Sequence, residues 1–228
     1  MTRSVRFREG RMRIVLPGTW ANIPLDDEET AVEHVRRLVR RQVGKADRLA
    51  RARREATQEV VGNVRAAMSA GVHTYLMSLE LLPGVPFPAV ILAMDEEWPA
   101  ASAEARAAGD VAAALRAGFP TGEVEPQRNG PVARVVEMTQ GSTGEGDDVL
   151  TMRLEYHIPY PDGSRLLMAR VNVPGIPSAE PFATLFDEIL DSITFMEQDG
   201  EEQEGQQAVA DAATGAGDPA AGPARAAM

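Results

Sequence analysis

Val149-Leu150-Thr151-Met152-Arg153-Leu154-Glu155-Tyr156-His157-Ile158 is followed, after Pro159-Tyr160-Pro161-Asp162-Gly163-Ser164, by Arg165-Leu166-Leu167-Met168-Ala169-Arg170-Val171-Asn172-Val173. In the first run Leu154, Tyr156 and Ile158 alternate with Arg153, Glu155 and His157, the period-two pattern of a strand with one face on a core. Pro161-Asp162-Gly163 is a turn: proline presets φ, aspartate bonds its own backbone, and glycine tolerates positive φ. Residues 132–139 supply a third strand, joined to the first through the glycine-rich stretch from Gly141 to Gly146. Three consecutive strands with short turns predict an antiparallel meander.

Upstream of the meander, Met12, Ile14 and Leu16 alternate in residues 11–16, and Pro17-Gly18 ends that strand. Asp26, with Glu29 three residues later, has the spacing of a capping box. A helical apolar stripe then runs through Val32, Val35, Val39, Val43, Ala46, Leu49, Ala56, Val60, Val64 and Met68, with Gly71 as its stop. Unbroken, a helix over residues 27–70 would reach ~65 Å at ~1.5 Å per residue. A domain of this size is only ~40 Å across, so the helix must break, and Gly44 is the expected place. Residues 74–82 alternate as a strand, and residues 87–94 form an uncharged run expected of a central, buried strand. Between them, Pro83-Gly84-Val85-Pro86 forms the connecting turn. Residues 110–117 read as a short helix. Ser178 and Pro181 open a last helix whose stripe is Phe182, Leu185, Phe186, Ile189 and Ile193.

The order β-α-β-β-α-β-β-β-α lacks the repeated βαβ unit of a parallel sheet. It predicts an α+β fold, a mainly antiparallel sheet of about six strands flanked by helices. The 228 residues are 44% hydrophobic, enough for one substantial core. The expected organisation is a basic extension over residues 1–10, the folded domain over residues 11–197, and a disordered acidic tail over residues 198–228. In the tail, six acids (Asp199, Glu201, Glu202, Glu204, Asp211, Asp218) face Arg225, so it carries five of the eleven net negative charges. Its large apolar residues are too few for a core.

The chain has no cysteine, which excludes disulfide scaffolds, thiolate metal sites and thiol nucleophiles. No apolar run approaches the ~20 residues of a membrane span, and the basic start is not followed by a signal-like apolar run; a cytoplasmic protein is expected. His34, His73 and His157 lie on different elements without metal-ligand spacing, and the alternation puts His157 on an exposed polar face. There is no G-x-S-x-G, no S-x-x-K and no phosphate loop, and Lys45 is the one lysine. Gly141, Gly144 and Gly146 beside Asp147 and Asp148 sit between strands, the wrong context for a dinucleotide loop. Asp95-Glu96-Glu97 beside Trp98 reads as a solvated strand end. The enzyme alternative, a hydrolase, needs Asp95, Glu96 and Glu155 to converge. No catalytic residue, cofactor or metal is expected.

The main charge feature is Arg36, Arg37, Arg40, Arg41, Lys45, Arg48, Arg51, Arg53 and Arg54, nine cations in nineteen residues. A solvated helix face is the plain reading. Contact with an acidic protein surface or the chain's own tail comes next, through Arg37, Arg41, Arg48 and Arg51. Nucleic acid or anionic lipid comes last, because no aromatic residue lies between Trp20 and Tyr75 to stack on bases.

Leu16-Pro17-Gly18-Thr19-Trp20 ending a strand, the Tyr160-Pro161-Asp162-Gly163 turn and Phe186-Asp187-Glu188-Ile189 in a closing helix resemble the PsbP/Mog-type fold family over roughly residues 11–196. That resemblance implies an antiparallel sheet of about six strands used mostly for binding, as in photosystem accessory subunits, a Ran-binding protein, envelope lipoproteins and effector chaperones. The implied function is a non-catalytic, cytoplasmic protein-binding or chaperone-like accessory protein, with secretion association and homodimerisation open. A face or edge of the sheet would hold an apolar segment of its partner. No family site residue carries over, and the chain lacks the lipoproteins' lipidation cysteine.

Overall fold

In the computed structural model of the chain, residues 2–8, 11–142, 148–175 and 180–196 are described, without the side chains of 141, 142, 148 and 149. The expected tail, Ser178 and most of the 141–146 turn therefore lie outside the described residues. The strands are β1 (Thr2–Phe7), β2 (Met12–Pro17), β3 (Thr19–Ile23), β4 (Thr74–Leu82), β5 (Val85–Pro86), β6 (Val90–Glu96), β7 (Glu123–Gln127), β8 (Gly130–Ser142), β9 (Asp148–Pro159), β10 (Leu166–Pro174) and β11 (Thr194–Phe195). The helices are α1 (Glu28–Val43), α2 (Ala50–Ser69), α3 (Ala103–Ala107), α4 (Val111–Gly118) and α5 (Glu180–Asp191). The main sheet has the order β3-β4-β6-β10-β9-β8-β7, with β5 beside β4; a second sheet is β1-β2-β11. Every strand pairing among the described residues is antiparallel.

The expected α+β architecture holds. The uncharged run became β6, a central strand between β4 and β10, and the three-strand meander became β8-β9-β10. The main sheet is covered on both faces. On one, Ile91, Leu154, Tyr156, Ile158 and Val171 pack against Ile14 and Leu16 of β2 and against Phe186 and Ile189 of α5. On the other, Tyr75 and Leu92 lie beneath Ala31, Val35, Val61 and Val64 of α1 and α2, while Leu115, Ala133 and Leu166 form a smaller cluster with Trp98 and Phe119.

The long helical pattern breaks where expected. Gly44 ends α1 at φ 99°, a backbone that side-chain-bearing residues avoid. A 3-10 turn over Asp47–Leu49 then leads into α2. Arg53 donates to the carbonyls of Gly44 (2.9 Å) and Ala46 (2.8 Å), satisfying acceptors that the broken helix leaves open. The helices fold back into a hairpin, so that Arg65 near the end of α2 reaches Glu28 at the start of α1 at 2.8 Å.

Three expectations need correction. Residues 2–7 are a strand, not an extension: Thr2 through Phe7 pair in register with Pro17 back to Met12, and Phe7 is buried. Val5 and Phe7 turn to the core while Arg3 and Arg6 stay outside, so basic composition concealed a strand. The strand count exceeds six because β1, β3, β5, β7 and β11 add to the six expected. The helix cap is Asp27, whose carboxylate accepts from the Thr30 N–H at 2.8 Å, one residue later than the Asp26 spacing implied.

Candidate functional site

The nine cations do not line one helix. Arg37 and Arg41 lie on the last turns of α1, Arg48 on the 3-10 turn and Arg51 on the first turn of α2, so they gather around the turn of the hairpin. All four are exposed. Arg37 pairs with Glu33 at 3.2 Å and Arg51 with Glu55 at 2.7 Å, exposed contacts that solvent screens and that add little to stability. Burial pushes the nearby His34 imidazole below its ordinary pKa, and the charges of Arg37 and Arg41 push it further the same way.

The carboxylates of the enzyme alternative are not brought together. Asp95 and Glu96 are neighbours on β6, so they point to opposite faces. Glu96 lies opposite Leu166 on β10, whereas Glu155 lies opposite Arg170, four residues further along. Each carboxylate has its own cationic or imidazole partner: Glu96 meets His157 Nδ1 at 2.7 Å and Glu155 accepts from Arg170 at 2.8 Å. Asp95 Oδ1 accepts from the guanidinium of Arg8 and from the Tyr160 hydroxyl. The solvated reading of the acidic run therefore fails at Asp95, which lies 20% exposed in a network of distant residues. Burial pushes its pKa up, and the bonds from Arg8 and Tyr160 with the Arg8 charge reverse that, leaving it below the usual carboxylate range.

His157 is also corrected. It is 4% exposed and its ring stacks on Phe119 at 3.6 Å between centroids. Alternation assigns one face to solvent, but the chain leaving α4 lays Phe119 over that face. His73 Nδ1 meets Thr74 Oγ1 at 2.8 Å, and its Nε2 stands 3.5 Å from Asp95 Oδ1. Beside it, a wide cleft of about 790 Å³ is lined by Arg6, Arg8, Asp26, His34, His73 and Asp95. Among the described residues no three His, Asp or Glu side chains gather to hold a metal.

The feature best shaped for a partner is a strand edge. β7 pairs with β8 only from Gly130 to Arg134, whereas β8 runs on to Ser142. Among the described residues no strand lies beside residues 135–142, a stretch of eight whose other side is held by β9. Val136 and Met138 stand opposite Leu154 and Met152 in register, on the core side of the sheet, yet are 42% and 39% exposed. Leu150 beside them is 37% exposed. On the opposite face Glu137 pairs with Arg153 at 3.1 Å. An exposed strand edge presents unpaired backbone donors and acceptors, and proteins usually blunt such edges with lysine, proline or a cover. Residues 135–142 contain neither lysine nor proline. Sequence reasoning found the strand but not its free edge, because that depends on how short β7 is.

No family model matches the chain, and no curated protein matches it. A solved structure of a point mutant of protein Mog1 superposes on 87% of this chain and 97% of that one, with a TM-score of 0.40 and 11% sequence identity. The function has to come from the site.

Proposed function

We propose that the chain is a non-catalytic binding protein that takes an extended segment of a protein partner onto the free edge of β8. The observation carrying this reading is that, among the described residues, no strand lies beside 135–139, with Val136 and Met138 exposed there. Strand addition gives affinity through main-chain hydrogen bonds, and side-chain positions of alternate residues give selectivity. An added strand would set apolar side chains beside Val136 and Met138 and polar ones beside Glu137, the alternation of an amphipathic partner segment. Holding such a segment out of water is a chaperone-like accessory role. A cytoplasmic setting belongs to the same proposal; no helix among the described residues is long and apolar enough to cross a membrane.

The test replaces Val136 and Met138 together by lysine. Both are exposed, so the melting temperature should hold, while capture of partners from the native organism should fall and amide exchange of residues 135–142 should no longer slow in the complex. If the double variant keeps its partners, or if protection upon binding maps to another element, the edge reading is wrong.

A further inference from the structure

The hairpin of α1 and α2 concentrates charge more than its surroundings do. Between Glu33 and Glu55 lie nine cations and three acids, a net charge of plus six, within a chain whose total is minus eleven. The rest of the chain therefore carries minus seventeen. Eight of the nine cations are exposed, the exception being Arg53, which is spent on the carbonyls of Gly44 and Ala46. Because the helices reverse at residues 44–49, cations from the end of α1 and the start of α2 surround one tip. The acids at the tip are too few to neutralise it: Glu33 and Glu55 engage Arg37 and Arg51 at exposed positions.

We propose that this tip is a docking site for a short acidic segment of a partner protein, with Arg37, Arg41, Arg48 and Arg51 among the groups that hold it. The site is separate from the β8 edge and stands or falls without it. Charge complementarity selects an anion, and the extent of the patch selects its length. At physiological salt, exposed charges act over about 8 Å. A segment of roughly six to eight residues with several Glu or Asp side chains would feel the tip alone. A duplex nucleic acid carries one charge about every 1.7 Å for far longer than the tip, so most of its charges would lie beyond the reach of these cations. The tip also has no aromatic side chain to stack on bases. The residues between 43 and 52 offer only Val43 and Leu49 as larger apolar groups, both half-buried, leaving nothing to insert among lipid tails.

The experiment titrates the full chain with three labelled probes: an octaglutamate peptide, a 20-base-pair duplex DNA, and vesicles containing phosphatidylserine. Octaglutamate should bind, with affinity falling as salt rises. Arg37→Glu/Arg41→Glu/Arg48→Glu/Arg51→Glu should weaken it by at least tenfold without changing the melting temperature, whereas lysine at the same four positions should retain most of it. Duplex or vesicles binding while octaglutamate does not overturns the proposal, as does octaglutamate binding equally to the glutamate variant. Should that variant fail to fold, neutralisation to Gln at Arg37 and Arg41 alone gives the same comparison, and undiminished peptide binding there overturns the proposal as well.

Discussion

Replacing Phe186 by Ala tests the packing that joins the closing helix to the sheet. Phe186 is fully buried, and its ring stacks near that of Phe87, with centroids 6.2 Å apart and planes at 20°. Phe87 in turn stacks on Phe182 at 5.6 Å, so the site is a three-ring cluster between α5 and the segment joining β5 to β6. Truncating a buried phenylalanine removes its transfer free energy and leaves a cavity, together about 3–5 kcal/mol. Phe87 would also lose one of its two ring contacts, which is worth about 0.5–1.5 kcal/mol of that total. Against a domain stability of about 5–15 kcal/mol, the variant should stay folded at 25 °C but melt roughly 6–20 °C lower, at about 2–4 °C per kcal/mol for this size. Denaturant unfolding followed by near-ultraviolet circular dichroism gives the free energy directly. Phe182→Ala, at a half-buried position, should cost clearly less. A loss below about 1 kcal/mol at Phe186, or equal losses at the two positions, would mean that α5 is not docked through this ring.

Gly18 and Gly71 share a positive φ, 76° and 77°, but a Cβ on Gly18 would stand 2.1 Å from the Glu80 carbonyl oxygen while one on Gly71 meets nothing within 4 Å. Alanine should cost about 1–2 kcal/mol at Gly71 from the backbone alone and about 1–3 kcal/mol more at Gly18 from overpacking; equal melting temperatures would remove the close approach of the turn between β2 and β3 to β4. Burial holds the His73 imidazole below its ordinary pKa, with Arg8 adding to this against Asp95. Its unfolded form therefore binds a proton first, and stability that is whole above about pH 6.5 should decline as pH falls; His73→Gln should flatten that limb in pH-dependent denaturant titrations. Asp95, held low in the fold, adds a second loss beginning near pH 4, and Asp95→Asn should abolish that one while lowering stability at neutral pH. Tyr156, buried, donates to Asp187 at 2.8 Å, so Tyr156→Phe should cost about 1–3 kcal/mol by thermal unfolding; an unchanged midpoint would show that the bond contributes nothing.

Much of the fold was legible because the chain follows simple periodicities where it is half-buried. The meander, β4, α4 and α5 follow from alternation and helical stripes bounded by turn formers. The break at Gly44 came from a length argument, since a helix longer than the domain had to reverse. What was missed shares a cause. β1 is arginine-rich on its outer side, β3 is five residues long, and β7 contains Pro126, which argues against a strand unless it lies at an edge. Each owes its structure to a partner strand more than to its own sequence, as Glu123 to Gln127 do to β8.

The sites were less legible for a related reason. Alternation tells which side chains share a face but not whether that face meets water, and here Phe119 covers the supposedly polar side at His157, which is buried there while bonded to Glu96. Asp95 looked solvated because its strongest partner, Arg8, is 87 residues away in sequence and sits in a segment read as an extension. The arginine cluster was visible as composition, yet its shape was not: the reversal at residues 44–49 turns a stripe along one helix into a compact cationic tip. Compactness matters for what can bind, because a stripe over a ~65 Å helix would suit a long polyanion, whereas a compact cationic tip suits a short one. The same folding step that fits the helices onto the sheet thus narrows the class of partner.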